Sequence, residues 1–137
     1  MILYKSSWKR QTLIYLDTHI VVWLYAGLTA KLSDRAKHLI NENELYISPM
    51  VRLELQYLYE TERITAKSDD ILLDLGNRLD LKICQKDFNL IINQSLIINW
   101  TRDPFDRLIV SNASVDNHIL LTKDYHILTH YKNAVWD

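Results

Sequence analysis

The sequence predicts an α/β domain built on a mostly parallel sheet. Three observations lead there. Short apolar, β-prone runs alternate with stretches of helical spacing along the chain, the pattern of strand–helix–strand units. The first run, Leu13-Ile14-Tyr15-Leu16, is apolar throughout rather than alternating, as suits a strand buried on both faces. And 137 residues, 48% hydrophobic and 24% charged, suffice for one core, with no repeat or linker to divide it.

The elements follow in order. After the strand Leu13 to Leu16, Thr18 is placed to cap a helix from about His19 to Ala26, which Gly27 ends. Ser33 caps a second helix with Ala36, Leu39 and Ile40 on one face. Leu45-Tyr46-Ile47 reads as the second strand. Ser48 followed by Pro49 is a cap with proline at the first helical position, and Val51, Leu55 and Leu58 recur along that helix. Ser68-Asp69-Asp70 opens another, because acidic side chains favour the positive end of the helix dipole; Leu72, Leu75 and Leu79 form its stripe. Leu81 to Cys84 is a third strand and Phe88 to Asn99 a helix. Asp103-Pro104 starts a helix through about Val115. Ile119 to Thr122 and Ala134 to Trp136 are the last two strands. Residues 1–12 precede the first strand as an extension of unknown role, leaving 13–137 as a single domain.

Counting excludes several chemistries. Gly27 and Gly76 are the only glycines, too few for a G-x-G-x-x-G fingerprint, and they do not fit a phosphate loop or a nucleophile elbow. Cys84 is the sole cysteine, which rules out an internal disulfide and cysteine-rich zinc sites and fits a reducing compartment. Lys5, Lys9 and Arg10 precede an apolar stretch, but Asp17 and His19 interrupt it, so it does not read as a signal peptide. No uncharged run reaches the roughly 18 residues of a membrane span. A soluble, cytoplasmic protein is the expectation. The net charge of -1 announces no global nucleic-acid field.

The informative residues are acids at strand ends. Ligands of open parallel sheets bind at the carboxyl ends of the strands, near the switch in strand order. Asp17 follows the first strand and Asp124 the fourth. Asp103 and Asp106 share a face at the start of one helix, and Glu54 sits on the helix after the second strand. Singly, each has a plain structural reading: Asp17 and Asp103 as helix caps, Asp124 as a turn former, Glu54 as a solvated helix residue. Together, five converging carboxylates repel one another unless a cation compensates. Oxygen donors without cysteine or histidine suit Mg²⁺ or Mn²⁺ rather than zinc, and such ions serve phosphodiester hydrolysis.

At these residues the sequence resembles the PIN-domain family, above all the VapC-type toxins of type II toxin–antitoxin systems. The resemblance runs from about Leu13 to the C-terminus. Leu16-Asp17-Thr18-His19 with Val22-Trp23-Leu24 resembles the family's opening segment, and Ser48 to Leu55 the segment carrying its second acid. Arg102-Asp103-Pro104-Phe105-Asp106-Arg107 is the most specific match, and Leu121-Thr122-Lys123-Asp124 resembles the last acidic segment. The resemblance implies a three-layer α/β/α fold with a central, mostly parallel five-stranded sheet. It implies a Mg²⁺- or Mn²⁺-dependent endoribonuclease toxin cutting single-stranded or loop RNA. It implies a metal-binding quartet of Asp17, Glu54, Asp106 and Asp124, with Asp103 as a further ligand or only a cap, and Thr18 and Thr122 as hydroxyls beside the ligands. A homodimer and a cognate antitoxin are implied too, with Trp23, Tyr25, Leu28, Tyr57 and Leu58 as the antitoxin groove.

Two departures stand out. Thr101 occupies a place where this subgroup often has histidine, and the chain begins about a dozen residues before the usual first strand. Setting the five acids aside leaves twelve against sixteen bases, a net positive remainder; Lys9, Arg10, Arg52, Arg102, Arg107 and Lys123 are the candidate RNA contacts. His126 and His130 lie at i and i+4, but Ile127 stands where a zincin has glutamate. Two other readings stay open: a PIN nuclease in RNA processing or DNA-structure cleavage without an antitoxin, and a non-catalytic binding module with an acidic cleft.

Overall fold

The structure, a computed structural model, describes residues 12–137. Five strands form one sheet: β1 (Leu13–Leu16), β2 (Glu44–Ile47), β3 (Lys82–Ile83), β4 (Ile119–Leu121) and β5 (Ala134–Val135). All neighbours pair in parallel, in the order β3-β2-β1-β4-β5. Seven helices flank them among the described residues: α1 (Thr18–Ala26), α2 (Asp34–Glu42), α3 (Pro49–Glu60), α4 (Ser68–Leu79), α5 (Phe88–Ser95), α6 (Pro104–Ser114) and α7 (Tyr125–His130). This is the expected three-layer α/β/α architecture.

Burial explains the apolar strands. Ile14, Leu16, Leu45, Ile47, Leu120 and Leu121 are almost wholly inaccessible, joined in the core by Ile20 of α1, Leu55 of α3 and Leu75 of α4. The chain steps outward from β1 through β2 to β3, then crosses back over α5 and α6 to β4 on the other side of β1. Strand order therefore switches between β1 and β4, and their carboxyl ends open side by side. The register sets Leu16 against Leu121, so Asp17 follows directly, its N–H bonded to the Leu121 carbonyl at 3.0 Å.

Local signals account for most helix ends. Ser33 and Ser48 accept from the N–H groups of Ala36 and Met50, and Gly27 ends α1 at φ 72°. The departures have tertiary causes. The cap of α1 is Asp17 rather than Thr18, which is already helical and turns its hydroxyl elsewhere. The helix expected to reach Asn99 stops at Ser95, whose carbonyl accepts from Ile98 N–H at 3.2 Å in a tighter turn and from the Arg107 guanidinium at 2.9 Å. A 3₁₀ turn at Thr29–Lys31 and the six-residue helix α7 are too short for periodicity to reveal. Strand pairing already includes Thr12, whose carbonyl accepts from Glu44 N–H at 2.9 Å. No helix among the described residues is long and apolar enough to cross a membrane.

Candidate functional site

Asp17 ends β1 with its carboxylate almost wholly buried, 4% exposed. Such a group requires donors, and the fold supplies two: Thr18 N–H at 2.8 Å and the Thr122 hydroxyl at 2.6 Å. Thr122 closes the β4 run and is itself buried; its oxygen accepts in turn from Asp124 N–H at 3.0 Å. One relay of hydrogen bonds thus locks the two strand ends together. His19 reinforces it, its Nε2 accepting from Lys123 N–H at 3.0 Å while Nδ1 lies 3.6 Å from the Asp17 carboxylate. Asp124 caps α7 by accepting from Ile127 N–H at 3.0 Å.

The helices bring the other acids. Glu54 on α3 accepts from the Thr18 hydroxyl at 2.5 Å. Burial pushes its carboxyl above the usual range; the Thr18 bond opposes this, and Asp17 and Asp103 add to it. Asp106, in the first turn of α6, is pushed up to about 7, first by burial and then by the charges of Asp103, Asp17, Asp124 and Glu54. That set of perturbers shows four carboxylates crowding a fifth. Asp103 is exposed and caps α6, accepting from Phe105 N–H at 2.8 Å and Asp106 N–H at 3.3 Å.

Asp17, Glu54, Asp106 and Asp124 line one cavity of about 310 Å³, and Asp103 is not among its lining residues. The wall is completed by Thr18, His19, Trp23, Leu58 and Arg63, among others. No three His, Cys, Asp or Glu side chains among the described residues are drawn into a ready-made ligating cluster. The donor set itself, carboxylate oxygens braced by hydroxyls and free of sulfur, fits a hard divalent cation.

The remaining expected residues scatter. Trp23 meets His19 edge-on at 5.0 Å and Trp136 at 6.0 Å. Tyr25 lines an adjoining cavity, Tyr57 packs 5.8 Å from Phe105, and Tyr25, Leu28 and Tyr57 are exposed. Arg52 is bonded to Asp69 and lines a separate surface cavity; Arg107 is committed to the Ser95 carbonyl. Lys123 lies 5.7 Å from the Trp136 ring centroid, Arg102 is exposed, and Lys9 and Arg10 lie outside the described residues. His126 and His130 form no pair: His130 stacks on Trp100 at 4.8 Å, with its Nδ1 2.8 Å from the His126 carbonyl oxygen. Arg63 is the residue that sequence reasoning missed. Nothing in Thr61-Glu62-Arg63-Ile64 marks it, and only the fold carries it to the cavity.

A family model described as PIN domain matches residues 14–133. Two solved structures are similar. One is VapBC2 from Rickettsia felis bound to a DNA fragment from their promoter, at 23% identity and TM-score 0.59, covering 91% of this chain and 99% of that one. The other is a toxin–antitoxin complex from Klebsiella pneumoniae, at 15% identity and TM-score 0.59, covering 89% and 95%. At these identities the likeness concerns the fold. No curated protein sequence matches the chain significantly.

Proposed function

The chain belongs to the PIN domain family, and on that premise we propose that it is a metal-dependent endoribonuclease toxin, restrained by a cognate antitoxin. The substrate is single-stranded or loop RNA, and Asp17, Glu54, Asp106 and Asp124 hold Mg²⁺ or Mn²⁺. The observation that carries this reading is the convergence of those four carboxylates, from four separate elements, on one cavity. A purely structural role does not call for them: Asp106 is held against its own ionisation there, which costs stability that a neutral residue would not.

Each side chain has a task. Thr122 and the Thr18 amide fix Asp17, and the Thr18 hydroxyl fixes Glu54, so two ligands are held before anything binds. The His19 ring, with Nε2 already accepting from the backbone, keeps the Asp124 loop against β1. When bound, the divalent ion supplies charge compensation and Lewis acidity toward water and phosphate oxygen. Asp106, whose proton is favoured by burial and by the charges of its acidic neighbours, would release that proton as a cation binds among the four acids.

Partners belong to the same proposal. Trp23 and Leu58 at the cavity, Tyr25 beside it and exposed Leu28 and Tyr57 offer apolar surface to an antitoxin segment. Exposed Leu90, Leu96 and Ile97 supply apolar surface for a homodimer. The test is incubation of purified, antitoxin-free protein with mixed cellular RNA in Mg²⁺, Mn²⁺ or EDTA, beside Asp17→Asn. Metal-dependent fragments absent from the variant support the reading. No cleavage by folded protein across RNAs of all size classes would sink it.

A further inference from the structure

A polyanion approaching four carboxylates meets repulsion unless a cation stands at the entrance. Among the described residues lining the acidic cavity, Arg63 is the only lysine or arginine. Several other cations of the described chain are already engaged. Arg52 is bound to Asp69, Arg78 to Asp74, Lys82 to Glu44, Lys86 to Asp116 and Arg107 to the Ser95 carbonyl. The Arg63 guanidinium has no hydrogen bond or ion pair among the described residues, although carboxylates line the same cavity.

Its position is built rather than incidental. α3 ends in a left-handed turn: Glu62 sits at φ 62°, Glu62 N–H bonds the Tyr59 carbonyl at 3.0 Å, and Arg63 N–H bonds the Leu58 carbonyl at 2.9 Å. The turn anchors the Arg63 backbone and leaves its side chain free. Arg63 also lines a second cavity of about 380 Å³, with Val22, Tyr25, Ala66 and Ile71 in its wall. Val22, Arg63 and Ile64 are common to both cavities, so Arg63 stands on the divide between an acidic chamber and an apolar one.

We propose that Arg63 binds a backbone phosphate of the single-stranded substrate next to the one being cleaved, and leads the strand from the acidic cavity into the apolar groove beside Tyr25. This rests on the ribonuclease reading. A guanidinium forks onto two phosphate oxygens, and an apolar wall with one aromatic residue takes a base without reading its sequence. Arg63 is thus a positioning residue for the substrate.

The test titrates a fluorescein-labelled RNA 12-mer of mixed sequence in EDTA, over a range of salt, with cleavage in Mn²⁺ measured in parallel. Arg63→Gln is expected to weaken binding about tenfold at low salt and to flatten the log affinity against log salt slope by about 0.7, one phosphate contact on a single strand. Arg63→Lys keeps the slope and recovers part of the affinity. Lys132→Gln serves as control: Lys132 is exposed beside Asn133, which bonds the Asn117 carbonyl before β4, at the strand ends opposite the acids. Wild-type binding and cleavage with an unchanged slope in folded Arg63→Gln would overturn this inference alone. No cleavage of mixed cellular RNA of all size classes by the wild type would overturn the ribonuclease reading and this inference with it, and no binding of the 12-mer by the wild type would overturn this inference alone.

Discussion

Replacing Asp106 with asparagine is expected to stabilise the protein, and only where Asp106 would be charged. Its carboxyl titrates at about 7 in the folded chain against an ordinary 3.8. A raised folded value means that the protonated form is favoured by folding. The stability it contributes is full below about pH 4 and is lost as pH rises through about 7. Three units correspond to about 4 kcal/mol as a ceiling. Asp106 is only partly buried, and solvent screening reduces this to about 2 kcal/mol. For a domain of this size that is a rise in Tm of about 6 °C near pH 8, about halved by pH 4.5 and near zero by about pH 3. The assay is thermal unfolding of both proteins in EDTA, followed by circular dichroism across that range. Adding Mn²⁺ should raise the wild-type Tm and leave the variant's nearly unchanged, because the cation offsets the same repulsion. A shift of equal size at both pH extremes, or a variant less stable near pH 8, would refute the electrostatic account of the cavity.

Other outcomes follow from the same structure. Asp17→Asn should abolish metal-dependent RNA cleavage while the far-ultraviolet circular dichroism stays native; cleavage at the wild-type rate removes Asp17 from the site. Thr122→Val takes one of two donors from the buried Asp17 carboxylate and should cost about 2 kcal/mol in urea unfolding. An unchanged midpoint would show that Asp17 finds another donor. Glu62→Gly removes a side chain from a left-handed conformation and should add about 0.5–1 kcal/mol while leaving RNA cleavage as it was. Thr18→Val frees the Glu54 carboxyl from its hydroxyl partner, which opposes the effect of burial, so a cleavage pH profile should shift toward higher pH.

Much of this protein is legible without a structure, wherever the physics is local. Ser33, Ser48-Pro49, Asp103-Pro104 and Gly27 announce helix ends because caps, proline and left-handed glycine act within a turn of the chain. The apolar runs at Leu13, Leu45 and Ile119 announce strands because a parallel sheet buries both faces. The acids at Asp17, Glu54, Asp106 and Asp124 stand out because each follows or faces a strand end.

What only the tertiary structure decides depends on groups far apart in sequence. The last carbonyl of α5 accepts from Arg107, twelve residues on. Asp17 and Thr122, 105 residues apart, meet because β1 and β4 are neighbours in a strand order that no periodicity encodes. Asp103 and Asp106 sit three residues apart and look equivalent, yet one caps a helix in solvent and the other enters the cavity. Arg63 is one of sixteen bases until the turn after α3 sets it at the mouth of four acids. Secondary structure follows from interactions within a few residues and is written along the chain. A site made by convergence is written in the packing, where distance in space replaces distance in sequence.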